Sequence, residues 1–332
     1  MTIKDIARLS GCSISTISRV INNRPDVNPE TKEKVLRIMK EVGFTPNNNA
    51  RQLKIQQSRN IVFAVKGTRN LFLAELLVLL QAYTEEYGYN GVISYLDENA
   101  TDFDSVERIV RELKPKGIIF LGGNVDHFAD IFAGVGIPSV LATVTSDRLT
   151  FENLSMVGVD DSKASALAIE YLLANGHKKI AIMGGPVSSF TSKTRLAGAK
   201  QAMARHGLTF DEDLYSLSNY DFESAYNAMN AMLAKRKKFT ALFAMSDSIA
   251  IGAMRALVSA GYKVPEDVSV MGFDGMALSR FTIPVLTTVK QPAERICKKS
   301  VSLLVDQIER HKKGETLVLD ATILEGESVR RI

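Results

Sequence analysis

Cysteine, histidine and long apolar runs are all scarce in this chain. Its 332 residues hold two cysteines, Cys12 and Cys297, far apart and each inside an apolar pattern. Two such thiols suit a reducing compartment better than a disulfide, and without a histidine cluster they make no zinc site. The four histidines, His127, His177, His206 and His311, are scattered without metal-ligand spacing. No apolar run reaches the roughly 18–20 residues of a membrane span. The N-terminus enters a patterned helix with no stretch resembling a signal peptide, so a cytoplasmic chain is expected. Enzyme signatures are missing as well: no G-x-G-x-x-G after a strand, no phosphate loop, no G-x-S-x-G elbow, no H-E-x-x-H. The chain reads as non-enzymatic, with no cofactor and no metal.

Acidic charge is thin in the first sixth of the chain. Residues 1–60 carry eleven Lys or Arg against five Asp or Glu, a net +6, whereas the remaining 272 carry thirty against thirty-two, a net −2. A basic module on a nearly neutral body is the electrostatic footprint of a nucleic-acid reader.

The stretch TIKDIARLSGCSISTISRVIN, residues 2–22, reads as two short helices broken at Gly11. Ile3, Ile6, Ala7 and Leu9 keep helical spacing. Gly11 accepts the left-handed conformation that a tight turn needs. Ser13 offers a cap to the second helix, where Ile17, Val20 and Ile21 share one face. The other face and leading edge present Ile14, Ser15, Ser18 and Arg19, which suits a major groove. Arg forks onto guanine, Ser reaches bases or phosphates, and an exposed Ile touches a thymine methyl. A third helix follows, with Asn28 as cap, Pro29 at its first position, and Val35, Ile38, Met39 and Val42 at helical spacing.

Beyond Pro46 the stretch NNNARQLKIQQS combines poor helix formers with Ala50–Lys54, which would form a short helix. By composition alone this stretch reads as a flexible linker; Leu53, exposed between Arg51 and Lys54, points instead to a hinge helix that orders on DNA and inserts into the minor groove. From Ile61 onward apolar runs alternate with helical stretches. The runs fall at 60–65, 91–96, 117–121, 137–142, 179–184, 240–245 and 268–273, and helices include 71–87, 162–175, 195–206 and 248–260. This is the rhythm of parallel sheets covered on both faces. Roughly 270 residues of it call for two lobes, with the break near Gly158–Asp161. A long helix, Ala293–Lys313, and a strand, Thr316–Leu324, are expected to return across both.

In its motifs the chain resembles the lactose/galactose-repressor family of bacterial transcription regulators. The matching segments run end to end: residues 2–22, then FTPNNNARQL, NLFLAELL, LLANGHKKIAIMGG, TRLAGAKQAM, SDSIAIGAMRAL, GYKVPEDVSVMGFD and PVLTTVKQP. The resemblance implies an α/β protein, with a three-helix headpiece on a two-lobed core like that of periplasmic binding proteins. The expected division is a headpiece over 1–46 and a hinge over 47–58. The first lobe takes 59–160 with 291–320 returning, and the second takes 161–290 with 321–332 returning.

The resemblance places base reading on Ile14, Ser15 and Arg19, and phosphate contacts on Thr16, Ser18 and Asn22. Minor-groove insertion falls on Leu53, with Asn47 and Ala50 on the same hinge. Cys12 stands where the family usually has Val. The implied effector cleft is walled by Phe72, Leu73, Asp160, Arg195, Tyr220, Ser246, Asp247, Asp274 and Gln291. For a polyhydroxylated ligand Arg195 offers a fork of donors and Asp274 accepts from paired hydroxyls, while Phe72 and Tyr220 give flat apolar faces. Read singly, Asp247 is equally well placed to cap the helix that follows it. Four departures from the family pattern bear on the ligand's identity: Ser246 and Asp161 in place of Asn, Gly275 in place of Asp, and no Arg before Glu327. The implied partners are a palindromic double-stranded DNA operator, a small effector (expected to be a sugar) and a second copy of the chain. With no leucine-heptad tail, a homodimer is the expected assembly. Two alternatives stand beside this reading. One is a free-standing sugar-binding protein, which fits residues 60–330 but not the headpiece. The other is a regulator of the same family that answers to a non-sugar ligand or a partner protein.

Overall fold

A computed structural model describes residues 3–21, 27–44, 59–67, 69–96, 102–122, 125–134 and 136–332. The chain divides into two compact units, residues 1–57 and 58–332. The first holds helices α1 (Ile3–Ser10), α2 (Ile14–Ile21) and α3 (Pro29–Glu41). Gly11 takes φ +65° between α1 and α2. Ser13 Oγ accepts the Thr16 N–H at 3.1 Å, and Asn28 Oδ1 accepts the Glu30 N–H at 2.9 Å. Ile6, Ala7, Ile17, Val20, Val35 and Met39 form the buried core. Leu9, expected on the apolar face, is instead half exposed. Ser10 is buried in that region, its hydroxyl donating to the Ile6 carbonyl at 2.8 Å.

The second unit begins with β1 (Asn60–Val65), α4 (Leu71–Glu86), β2 (Asn90–Tyr95), α5 (Asp102–Leu113), β3 (Gly117–Leu121), α6 (Val125–Gly134), β4 (Ser139–Ala142) and β5 (Leu154–Val159). It continues with α7 (Asp161–Ala174), β6 (Ile180–Gly184), α8 (Phe190–Arg205), β7 (Tyr215–Leu217), α9 (Phe222–Ala234), β8 (Ala241–Ala244), α10 (Asp247–Ser259), β9 (Ser269–Asp274) and β10 (Thr287–Lys290). It ends with α11 (Ala293–Arg310), β11 (Thr316–Leu319) and β12 (Thr322–Leu324). Two six-stranded sheets result, in the orders β11-β5-β4-β3-β1-β2 and β12-β10-β9-β8-β6-β7. Every pairing is parallel except that of β12 with β10. Helices cover both faces of each sheet. The central strands β1, β3, β4, β5, β6, β8 and β9 are buried along nearly their whole length, as parallel sheets require, while the edge strands are partly exposed.

Several elements differ from the sequence expectation. The run Thr316–Leu324 is two strands, because the chain crosses from the first sheet to the second at Asp320–Ala321 and one ladder cannot serve both. Strands β5, β7 and β10 lie outside the apolar runs picked from sequence. In β10 the buried Thr287 and Thr288 replace aliphatic residues, and their hydroxyls are spoken for: Thr287 Oγ1 accepts from Gly326 N, and Thr288 donates to Asp247. Helix α8 starts five residues earlier than expected, so Arg195 sits in its second turn. Among the described residues no helix is long and apolar enough to cross a membrane.

Candidate functional site

In an open parallel sheet, ligands gather where the strands end at their carboxyl side. Here a cleft of about 760 Å³ opens at that edge of both sheets. Lys66 and Gly67 follow β1, Gly122 follows β3, and Thr143 and Val144 follow β4. Pro186 and Ser188 follow β6, Asn219 and Tyr220 follow β7, Asp274 ends β9, and Gln291 follows β10. Three helices start at the cleft, each capped by a residue that lines it. Asn70 Oδ1 accepts from Phe72 N at 3.1 Å, Ser189 Oγ from Ser192 N at 3.1 Å, and Asp221 Oδ1 from Ser224 N at 2.8 Å.

Three lining residues that are not glycine hold positive φ: Thr143 (76°), Tyr220 (58°) and Asp274 (119°). Such backbone persists where its surroundings over-determine it, commonly at binding sites. At Tyr220 part of that surrounding is Gly185, where a Cβ would occupy the space of the ring. The Tyr220 hydroxyl meets Ser189 Oγ at 3.3 Å.

The polar heart of the cleft is Arg195. Its guanidinium lies over the Phe273 ring, 3.5 Å from the centroid. Nε donates to Asp161 Oδ1 at 2.7 Å, Nη1 donates to the Met245 carbonyl, and Asp274 Oδ1 lies 3.6 Å from Nη1. Gln291 Nε2 donates to Asp274 Oδ1 at 2.9 Å, while the buried Gln291 Oε1 has no partner among the described residues. Arg195, Asp161, Asp274 and Gln291 are all buried. Burial holds the Asp274 carboxyl up at about 7 against the opposing pull of Arg195 and Gln291. Burial, then the Asp274 charge, raises Asp247 well above the ordinary range.

Of the nine side chains expected on the cleft, Phe72, Leu73, Arg195, Tyr220, Asp274 and Gln291 line it; Asp160, Ser246 and Asp247 do not. Asp160 caps α7 through the Lys163 N–H at 3.0 Å and pairs with the Lys163 ammonium at 3.2 Å. Ser246, not Asp247, caps α10, through the Ile249 N–H at 3.1 Å. Asp247 is fully buried behind the wall, accepting from Met276 N at 2.7 Å and from Thr288 Oγ1. It therefore braces the turn that follows Asp274. The sequence reading did not pick Lys66, Arg69, Asn70, Ser189 or Asp221. The last three carried a usable signal, since each is a cap residue just past the end of a strand.

On the first unit Ile14, Ser15 and Arg19 are exposed along α2, and Thr16 and Ser18 are half-buried beside them. Ser13 Oγ meets Ser15 Oγ at 2.7 Å and Thr16 Oγ1 at 2.8 Å, so the hydroxyls at the head of α2 form one cluster. The expected DNA contacts Asn22, Asn47, Ala50 and Leu53 lie outside the described residues. Among the described residues no group of His, Cys, Asp and Glu is arranged to hold a metal ion.

A helix-turn-helix unit carried in one chain with a two-sheet core and a polar cleft is the build of a DNA-binding transcriptional regulator. Residues 2–47 match the bacterial regulatory proteins of the lacI family, and residues 169–329 match the periplasmic binding protein-like domain. The HTH-type transcriptional regulator MalR of Clostridium butyricum is 39% identical over 331 residues, 99% of each chain. Two solved structures align over 99% of both chains. The transcriptional regulator CelR in complex with cellobiose has 27% identity and a TM-score of 0.74. The lac repressor dimer bound to operator and the anti-inducer ONPF has 26% identity and a TM-score of 0.76. The chain belongs to the lacI family.

Proposed function

We propose that this protein is a homodimeric, cytoplasmic repressor of sugar-utilisation genes, which reads a palindromic operator with α2 and takes a sugar into the cleft between its sheets. The observation that carries the reading is the wall formed by Arg195, Asp274 and Gln291. Buried donors and acceptors there stand open to a cavity of sugar size, beside the flat faces of Phe72 and Tyr220. Rings of hydroxyls bind by such paired contacts, with apolar ring faces on aromatic surfaces. The relative named as a regulator and the neighbour solved with cellobiose support it. The lac repressor dimer on its operator supports the assembly and the DNA partner.

Fluorescence anisotropy with genomic fragments, followed by a panel of neutral sugars, tests the reading. Specific binding should weaken steeply with salt, because the basic headpiece displaces counterions from phosphates. Arg19→Ala should cost about 1–3 kcal/mol and relax discrimination at one base position per half-site. At least one sugar should change operator affinity. Unchanged base preference in Arg19→Ala would remove α2 from the base-reading surface, and no response to any sugar would leave the cleft without its assigned ligand.

A further inference from the structure

Arg195 does not stand in the cleft as an open cation. Arginine grips carboxylates and phosphates through two parallel N–H donors. Here Nε is committed to Asp161 at 2.7 Å and one Nη1 hydrogen to the Met245 carbonyl, with Phe273 against one guanidinium face, so the Nη2 side alone is left for a ligand and its charge is already faced by a carboxylate. Asp161 opens α7 and is 5% exposed. Asp161 and Asp274 therefore place two carboxyls against one guanidinium on this wall, with Asp247 behind them.

We propose that Asp161 is a positioning residue that sets the cleft's specificity: it holds Arg195 and cancels its charge, so that this wall takes uncharged hydroxyl groups and turns away carboxylates and phosphates. The proposal rests on the effector reading given above and narrows it to a neutral polyhydroxylated ligand.

A second feature points the same way. Gln291 is 2% exposed, its Nε2 is fixed on Asp274, and its Oε1 is a buried acceptor on the cleft wall without a partner among the described residues. Leaving such an acceptor unsatisfied is costly, so a ligand that brings it a donor is favoured. A sugar hydroxyl donates to Gln291 Oε1 and accepts from a neighbouring donor at once. An anionic oxygen would set lone pair against lone pair. Lys66 and Arg69, on the first-lobe side, are the cations that argue for the opposite outcome.

The test uses the full chain with its methionine methyls labelled with carbon-13, and inorganic phosphate as the anion probe. Met245 and Met276 report on the wall, while Met39 reports on the headpiece, where phosphate is expected to bind. In the wild type, phosphate should leave the Met245 and Met276 signals in place. In Asp161→Asn it should shift them, with an affinity at least roughly tenfold tighter, since one buried negative charge beside the guanidinium is gone. Asp161→Glu, which keeps the charge, should behave as wild type, and Asp161→Ser substitutes if the Asn variant does not fold. The Asp274 carboxyl, to whose raised pKa Asp161 contributes, should titrate lower in Asp161→Asn than its wild-type value of about 7. Phosphate binding at Met245 in the wild type, measurable whatever the variants do, overturns the proposal, as does equal phosphate affinity in wild type and Asp161→Asn. Neither result touches the effector reading, which fails separately if no neutral sugar binds.

Discussion

Asp274 sits among several opposing electrostatic influences in the core. It is 3% exposed, bonded by Gln291, close to Arg195, and held by a backbone φ of 119°. Its carboxyl sits at about 7 in the folded protein, against an ordinary value of 3.8. Folding therefore favours its protonated form. The stability this confers is fully present below about pH 4 and is lost as pH rises through about 7. Asp274→Asn keeps the shape and removes the titration. The melting temperature of Asp274→Asn relative to wild type should rise between about pH 4 and 7 and level off above, a gain on the order of a few kcal/mol. Thermal melts across that range check it, and a constant difference would show that Asp274 ionises without penalty. His177 has the opposite sense: burial lowers its pKa, with Nε2–H donating to the Arg330 carbonyl at 3.0 Å. It costs stability only toward acid.

The elements that hold Arg195 are α7 and α8, and their closeness depends on a missing side chain. Gly198 lies one turn beyond Arg195, and a Cβ there would fall on the backbone of Ser162 in the first turn of α7. Ser165 of α7 donates to the Arg195 carbonyl at 2.6 Å across the same contact. In an open helix Gly→Ala gains about 1 kcal/mol. Here overpacking, about 1–3 kcal/mol, outweighs that gain because the obstacle is backbone that cannot rotate away. Gly198→Ala should therefore lower the melting temperature and weaken sugar binding by moving Arg195. A stabilised variant with unchanged sugar affinity would show that the two helices separate freely. Gly252 stands in the same relation to Phe222, so α9 and α10 are nested in the same way.

At the scale of the whole chain, the small unit and the large one differ in how much core they own. Among the described residues the headpiece buries six apolar side chains, whereas four clusters fill the second unit. A core so small is marginal. Ile17, fully buried in the headpiece, is not among the expected base contacts. Ile17→Ala should cost about 2–5 kcal/mol, enough to unfold the headpiece and abolish operator binding. Calorimetry of the full chain should then show the high-temperature transition of the core, and its shift by sugar, unchanged. A single transition that falls with Ile17→Ala would mean that the two units melt together.

The residues by themselves determined the helix-turn-helix, the strand–helix rhythm and the two lobes. Gly11, Ser13 and Asn28 act on neighbours a few positions away, and apolar periodicity depends only on the local run. They also marked Arg195, Asp274 and Gln291 through motif resemblance. What they did not decide was which polar groups face the cleft and which stand behind it. Asp247 read as either a wall residue or a helix cap and is neither, bracing a turn behind the wall, whereas Asp274, read as a wall residue, opens on the cavity. Asp161 read only as a departure from a pattern until α7 and α8 met and set it on Arg195. Those assignments depend on contacts between residues 17 to 41 positions apart, where burial, not local spacing, fixes the partner of each charge.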